Sequence, residues 1–168
     1  MPKIIENLQQ QLEEEARRQV EQCGYGAMTI RSIAAACGVG TGTVYNYFAS
    51  KEKLVASFML ADWRVCLERM TAEADAAESS CDALYAMYSG LRRYTESNAS
   101  IFRDQDAAAG FAGSFGRYHA ILRSQIAAPL LRFSPDDFTA EFVAESLLVW
   151  TVNGKDFEEI ASVIGKII

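Results

Sequence analysis

The sequence predicts an all-α fold, and three observations support this. Only 3 prolines and 11 glycines interrupt the 168 residues, which is a composition that favours helices over a turn-rich β protein. Apolar residues recur at intervals of three and four, the period of an amphipathic helix. Typical helix start and stop residues flank many of these segments. Half of the chain is hydrophobic, so it is able to bury a core and is not mainly disordered.

Four helices are predicted in the first third of the chain. The first ends at Gly24 and has one apolar stripe, formed by Ile5, Leu8, Leu12, Ala16, Val20 and Cys23. A second, compact helix begins after the N-cap candidate Thr29 and ends at Gly38. Residues 41–48 fit a strand or a helix by periodicity alone, but their place one tight turn after a helix favours a helix. Ser50 is the N-cap candidate of a long fourth helix that extends toward residue 77.

Five further helical pieces are predicted in the remainder. Ser80 or Asp82 opens the first, and a short one follows around residues 101–102. A longer helix is predicted from about residue 106 to residue 132. Ser134 and Pro135 give a start signal, with the serine as cap and the proline at the first helical position. A last helix follows Gly154.

Charge and composition limit the partners. The formal net charge is −6, yet residues 1–60 carry six basic and six acidic side chains and are balanced, so the acidic surplus lies entirely in residues 61–168. A nucleic-acid partner must therefore meet the first third. No apolar run is long enough for a membrane span, and no signal peptide is evident, which predicts a cytoplasmic protein without a membrane partner.

Catalytic and metal sites are not predicted. The four cysteines, Cys23, Cys37, Cys66 and Cys81, lack the spacing of a zinc site, and we expect them to be small buried residues. The glycine-rich stretch 38–43 lacks the third glycine and the Lys-Ser/Thr of phosphate loops. Residues 112–116 miss the nucleophile elbow by one glycine. We therefore predict no enzyme and no cofactor.

Residues 24–54 contain a specific motif. Gly24-Tyr25 is followed by Thr29-Ile30-Arg31, Ile33-Ala34, Cys37-Gly38-Val39, Gly42-Thr43-Val44-Tyr45, Tyr47-Phe48 and Ser50-Lys51-Glu52. This pattern resembles the N-terminal domain of the TetR/AcrR family of transcriptional regulators over roughly residues 3–60. The resemblance implies a three-helix helix-turn-helix DNA-binding domain at residues 1–49, followed by a helical effector-binding and dimerisation domain at residues 50–168.

The resemblance also assigns candidate DNA contacts. It places Arg31, Thr41, Gly42 and Asn46 against base edges in the major groove; arginine suits guanine and asparagine suits adenine. It places the phosphate contacts at hydroxyl and cationic groups on the edges of the motif, namely Thr29, Thr43, Tyr45, Tyr47 and Lys51. A serine is common in the family at the cap of the third helix, where this chain has Gly40.

Aromatic residues and glycines suggest an effector pocket. Gly110, Gly113 and Gly116 recur every three residues in a segment otherwise suited to a helix, which indicates a cavity or a flexible helix beside it. The candidate lining residues are Trp63, Tyr85, Tyr88, Phe102, Phe111, Phe115, Tyr118 and His119. Each one is also suited to ordinary core packing.

The two terminal helices have wide apolar faces, which predict a dimer interface at Phe142, Leu147, Trp150, Phe157, Ile160 and Ile164. Filling of the protein's own core is the alternative. The sequence thus predicts a homodimeric, ligand-responsive regulator, expected to be a repressor, that binds a near-palindromic operator and is released by a small molecule. The alternative function is an interaction module that couples DNA to a protein partner without small-molecule induction.

Overall fold

The computed structural model describes residues 7–168, apart from the side chains of Ser114 and Phe115. Over this range the chain is helical, in agreement with the predicted all-α fold. The helices are α1 (Leu8–Ala27), α2 (Ile30–Ala36), α3 (Thr41–Tyr47), α4 (Lys51–Asp75), α5 (Ser80–Ser97), α6 (Ala99–Phe102), α7 (Gln105–Phe111), α8 (Phe115–Ala127), α9 (Asp137–Val152) and α10 (Phe157–Ile164). Two 3-10 segments, Ala112–Ser114 and Ala128–Phe133, flank α8.

The predicted helix boundaries of the first third are largely confirmed. Gly24 adopts φ 83° and ψ 161° and breaks α1, although one further turn follows it to Ala27. Thr29 caps α2 through a reciprocal pair of bonds with Ser32, and the Ser50 hydroxyl accepts the Lys53 amide at the start of α4. Side-chain oxygens satisfy amides that have no partner inside a helix, which explains why these residues mark the starts.

Two predicted boundaries in the second half are wrong. The single helix expected over residues 106–132 is divided into α7, a 3-10 turn, α8 and a second 3-10 segment. Three glycines weaken the helix near its middle, and Pro129 cannot donate a backbone hydrogen bond near its end. The helix expected at Ser134 begins at Asp137, where Asp136 is the cap and accepts the Thr139 amide at 2.7 Å.

Packing divides the chain into two compact units. Unit 1 contains the chain up to Ala61 together with Asn98–Gly113, and unit 2 contains Asp62–Ser97 with Ser114–Ile168. The sequence placed a boundary after residue 49, whereas the start of α4 and all of α6 and α7 pack with the first three helices. These two helices, distant in the sequence, join unit 1 because Ile101 and Ala107 complete the apolar core there.

The core of unit 1 is formed by apolar residues from α1 to α4 and from α6 and α7. It includes Leu12, Val20, Tyr25, Met28, Ile33, Val44, Phe48, Leu54, Phe58, Ile101 and Ala107. Val44 is the single buried residue of α3. Val44 therefore anchors this short helix to the unit, and most of the other residues of α3 are exposed.

Unit 2 has its own core, built around α5, α8 and α9. Its buried residues include Trp63, Met70, Leu84, Met87, Ile126, Leu130, Val143, Leu147, Ile160 and Ile164. Gly90 of α5 lies so close to Met70 of α4 that an added Cβ would be 2.8 Å from the Met70 Cβ. The glycine therefore permits close packing of these two helices.

The expectation of buried cysteines is wrong for two of the four. Cys23 and Cys81 are exposed, while Cys37 and Cys66 are partly buried. Burial raises the pKa of the Cys66 thiol. Among the described residues, no helix is long and apolar enough to cross a membrane.

Candidate nucleic-acid interface

The helices α2 and α3 form a helix-turn-helix. Gly38, between them, has φ 67°, a left-handed conformation that glycine adopts without steric cost. The Val39 amide donates to the Ala34 carbonyl at 2.9 Å and closes the end of α2. The turn is thus fixed by one glycine and by backbone hydrogen bonds.

The predicted base-contact residues are all exposed. Arg31 lies in the first turn of α2, and Thr41, Gly42 and Asn46 lie on α3. The three on α3 remain accessible because Val44 takes the inward position of that helix, and Arg31 remains accessible because Ile30, Ile33 and Ala34 face the core from α2. Gly42 has no atom within 4 Å of where a Cβ would stand, so the start of α3 has an uncovered backbone.

The predicted phosphate contacts differ in their accessibility. Tyr45 is 54% exposed and Tyr47 is 48% exposed, which leaves both phenol groups accessible to solvent. Thr43 is partly buried. Thr29 is exposed, but its hydroxyl oxygen already accepts the Ser32 amide at 3.0 Å. The Thr29 oxygen therefore has a structural role as the cap of α2 in addition to any contact with DNA.

Lys51 is held at the N-terminus of α4. Its ammonium lies 4.0 Å from the centre of the Tyr25 ring, and its Nζ is 3.5 Å from the Gly26 carbonyl oxygen. The Tyr25 hydroxyl in turn donates to Glu52 Oε1 at 3.1 Å. Burial, together with the Glu52 charge, raises the pKa of Tyr25, which stays protonated. The Ser50 hydroxyl and a backbone amide hold the pKa of Glu52 below its usual range.

Helices α2 and α3 present Arg31, Asn46 and several exposed hydroxyl groups, and Lys51 adds a cation at the start of α4. Such groups suit base edges and phosphates in a major groove. Residues 13–58 match the sequence profile described as bacterial regulatory proteins, tetR family. The N-terminal domain belongs to the TetR family. It is the DNA-binding domain of a transcriptional regulator, a class of proteins that act by binding and not by catalysis.

Several solved structures, among them two described as TetR-family regulators, share the fold of most of the chain. A TetR-family transcriptional regulator from Pectobacterium atrosepticum is 20% identical, with a TM-score of 0.63 over 94% of this chain and 89% of that one. The multidrug binding protein EbrR, complexed with imidazole, is 20% identical, with a TM-score of 0.62 over 95% and 94%. The TetR family repressor AlkX from a Dietzia species is 14% identical, with a TM-score of 0.62 over 95% and 96%. A comparison with curated proteins gives no match.

Sequence reasoning missed the contact between α1 and α7 inside the TetR-like unit. The Asp104 carboxylate caps α7 and also accepts the Gly26 amide of α1 at 3.1 Å. Next to it, a Cβ on Gly26 would be 2.8 Å from Asp106 Oδ2, and a Cβ on Gly110 would be 3.1 Å from the Tyr25 hydroxyl. The glycines were the available signal, but Gly110 marks close packing and not a cavity. By contrast, Gly113 and Gly116 face open space.

The predicted pocket residues are divided between the two units. In unit 1, Phe102 is exposed and Phe111 packs against Tyr25, with 6.2 Å between ring centres. In unit 2, Trp63 is buried and donates to Gln125 Oε1 at 2.8 Å, and the buried Tyr88 donates to the Lys155 carbonyl at 3.1 Å. These two aromatic residues are integral to the unit 2 core.

The other predicted pocket residues lie nearer the surface of unit 2. Tyr85 is exposed and meets Phe157 edge-on, with 5.0 Å between ring centres. Tyr118 and His119 are partly buried, and His119 Nε2 lies 3.6 Å from Glu145 Oε1. The side chain of Phe115 lies outside the described residues.

The predicted dimer residues also have two kinds of environment. Leu147, Ile160 and Ile164 are buried in the unit 2 core, and Phe157 is partly buried against Tyr85 and Tyr88. Phe142 and Trp150 are each 48% exposed on α9. Other large apolar side chains are exposed on α9, on α10 and just after α10: Phe138, Val149, Val152, Val163 and Ile167.

Proposed function

We propose that this protein is a homodimeric transcriptional repressor that binds a near-palindromic DNA operator and releases it when a small molecule binds. The observation that carries the proposal is the exposed face of α2 and α3, where Arg31 and Asn46 stand free of the core. We assign direct base readout to Arg31, Thr41, Gly42 and Asn46. Phosphate contacts are assigned to Thr29, Thr43, Tyr45, Tyr47 and Lys51.

The acidic character of the chain supports this division of roles. The first 60 residues carry no net charge, whereas the remainder carries the whole acidic surplus. Phosphates repel a surface with an acidic surplus, so DNA is confined to the helix-turn-helix. Action on DNA is in keeping with the cytoplasmic location predicted from the sequence.

Exposed apolar side chains on α9 support dimerisation. Phe138, Phe142 and Trp150 are spaced by multiples of four, so they lie along one side of the helix. Large apolar groups in one stripe are typical of a protein interface. A two-fold dimer presents two recognition helices to two half-sites, which is why we expect a near-palindromic operator. Of the predicted interface residues, Phe142 and Trp150 are accessible for this contact.

Small-molecule release is supported by one comparison. EbrR, similar in fold, is described as a multidrug binding protein and is complexed with imidazole. We extend effector binding to this chain and locate the effector in unit 2, beside the partly buried Tyr118 and His119. A ligand shifts the protein away from DNA only to the extent that it binds the DNA-free conformation more tightly.

The proposal is tested by selecting the purified protein against a pool of random duplex DNA. We expect enrichment of a palindrome whose half-sites are about one helical turn apart. Enriched sites are then measured by fluorescence anisotropy at two salt concentrations. The control is Arg64→Ala, an exposed arginine of unit 2, which should enrich the same palindrome. Failure of the folded wild-type protein to enrich any sequence would overturn the proposal.

A second experiment separates repression by a small molecule from the alternative of a DNA-bound interaction module. The protein–operator complex is titrated with a panel of planar and apolar metabolites and followed by anisotropy. Release by at least one compound class is expected. If the operator complex survives the whole panel and instead recruits a stable protein partner, the interaction module replaces the inducible repressor.

A further inference from the structure

Tyr25 stands between the predicted phosphate contact Lys51 and helix α7. The Lys51 ammonium lies over one face of the Tyr25 ring, 4.0 Å from the ring centre. Phe111 of α7 lies 6.2 Å away, centre to centre. The ring is 2% exposed, and its hydroxyl is bonded to Glu52. Packing and a hydrogen bond thus fix the ring, so it is a rigid platform for the flexible lysine side chain.

The position of Lys51 needs such a platform. A cation at the first residue of a helix faces the positive end of the helix dipole, which disfavours it. The electron-rich face of the Tyr25 ring and the Gly26 carbonyl, 3.5 Å from Nζ, help to offset this, together with the nearby carboxylates of Glu52 and Asp104. An ammonium has three hydrogen-bond donors. With one donor directed at Gly26 and one side of the ammonium against the Tyr25 ring, at least one donor remains for an incoming phosphate.

We propose that Tyr25 is a positioning residue for DNA binding, because its ring holds Lys51 in the place where a phosphate is bound. The inference rests on the proposed DNA-binding function and adds a residue that does not itself contact DNA. A lysine side chain loses considerable conformational freedom when it is fixed in an interface. Because Tyr25 already orders Lys51 in the free protein, part of this conformational entropy is lost before DNA binds and does not reduce the affinity. Removing the attraction should weaken DNA binding about 2- to 10-fold.

Glycine at 110 is part of the same arrangement. A Cβ there would be 3.1 Å from both the Tyr25 hydroxyl and Glu52 Cγ. Because glycine has no Cβ, α7 is able to lie close to the Tyr25 ring and the Glu52 carboxylate. The position of α7 in unit 1 thereby limits how far the Tyr25 ring is able to move.

The test changes the electrostatics of the ring without changing its size. Tyr25→Phe, which also removes the hydrogen bond to Glu52, is the reference protein. Phenylalanines with one to three ring fluorines are then incorporated at position 25, because fluorine withdraws charge from the ring face that attracts the cation. Each protein is checked for helical content and Tm. Affinity is measured by anisotropy on the selected operator and on a random duplex, because a phosphate contact acts on both. We expect affinity to decrease with each added fluorine, by about 2- to 10-fold over the whole series.

Two background variants separate positioning from a general structural effect. In Lys51→Met, the slope of log affinity against log salt concentration should decrease by about one, which corresponds to one lost phosphate contact. Fluorination of the ring should have no further effect on affinity in this background. In Lys53→Met, which removes an exposed lysine two residues away, the stepwise fall should persist. An equal fall in all three backgrounds would overturn the positioning role, as would unchanged affinity across the series. Tighter DNA binding on fluorination would also overturn it, because the ring would then be withholding Lys51 from DNA.

The outcomes keep this inference distinct from the proposed function. If the wild-type protein binds no duplex DNA, the proposed function fails. If it binds but Lys51→Met leaves the salt dependence unchanged, Lys51 is not a phosphate contact and the positioning role of Tyr25 falls with it. Ring-current shifts of the Lys51 methylene protons, measured by NMR without DNA, report the stacking directly. Their absence in a folded protein would contradict the platform itself.

Discussion

The Asp104 Oδ2 atom accepts a hydrogen bond from the Gly26 amide at 3.1 Å, between residues 78 positions apart in the sequence. The Oδ1 atom of the same carboxylate accepts the amides of Asp106 and Ala107 at 2.9 and 3.0 Å. One side chain therefore caps α7 and connects it to the last turn of α1. This bond contributes to holding a distant helix in unit 1.

Replacement of Asp104 should make unit 1 less stable at neutral pH. Bonds from the Ala107, Gly26 and Asp106 amides hold the pKa of Asp104 below its ordinary value of 3.8. Since the folded state favours the ionised form, the stabilisation is present above that ordinary value and is lost as the pH falls through the lowered pKa. Asp104→Ala should therefore lower Tm by a few degrees at pH 7 and by progressively less in acid.

Thermal unfolding followed by circular dichroism between pH 2 and pH 7 checks this. Glu68→Ala, which removes an exposed carboxylate of α4 in unit 2, is the control and should retain the wild-type pH dependence. A constant difference in Tm between Asp104→Ala and the wild type at every pH would show that the carboxylate charge is not involved.

Two glycines of unit 2 should respond oppositely to alanine. A Cβ at Gly90 would be 2.8 Å from the Cβ and Sδ of buried Met70, whereas one at Gly116 meets no atom within 4 Å. Gly116→Ala should stabilise the protein by up to about 1 kcal/mol through helix propensity. Gly90→Ala should destabilise it by about 1–3 kcal/mol, because overpacking outweighs that gain. Chemical denaturation measures both, and stabilisation by Gly90→Ala would contradict the close packing of α4 and α5.

Base preference should depend on Arg31 and Asn46. Arg31→Ala and Asn46→Ala should each reduce discrimination at one operator position by about 1–3 kcal/mol. Repeating the DNA selection with each variant reveals which position is relaxed. Tyr45→Phe, which removes only an exposed hydroxyl, should instead weaken binding to all sequences alike. A variant of Arg31 or Asn46 that enriches the wild-type site with the same preference would remove that residue from the base contacts.

The exposed face of α9 should be required for dimerisation. Phe142→Glu places a charge on a side chain that is 48% exposed, so the fold should tolerate it while an apolar interface should not. Sedimentation velocity should therefore detect a monomer. Val65→Glu, at a position of α4 that is 69% exposed, should leave the dimer intact. A dimeric Phe142→Glu protein with normal helical content would place the interface elsewhere.

Local signals account for what the sequence predicted well. Thr29, Gly38 and Ser50 act within a few residues of their own position, so their roles as caps and as a turn could be read from the sequence. The alternation of apolar and polar residues in α1 and α2 likewise reports one buried face. The base-contact candidates on α3 were predicted to be accessible, and they are exposed because a single residue, Val44, faces the core.

Long-range packing accounts for what the sequence did not predict. The spacing of Leu147, Ile160 and Ile164 indicated wide apolar faces, but spacing does not distinguish a core from a dimer interface, and these three side chains are buried in unit 2. The helix predicted over residues 106–132 is interrupted because glycines and a proline reduce helix stability at several points. Whether such a segment bends or stays straight depends on the contacts available on each side.

The sequence alone determined the helical class, the helix-turn-helix and its likeness to the TetR family, because each follows from periodicity, capping residues and a compact motif. Only the tertiary structure decided that α6 and α7 pack with the first three helices. It also decided that Asp104 bonds to Gly26 and that Tyr25 lies beneath Lys51. These relationships join residues far apart in the chain, and they depend on which apolar surfaces are buried together, which no local pattern specifies.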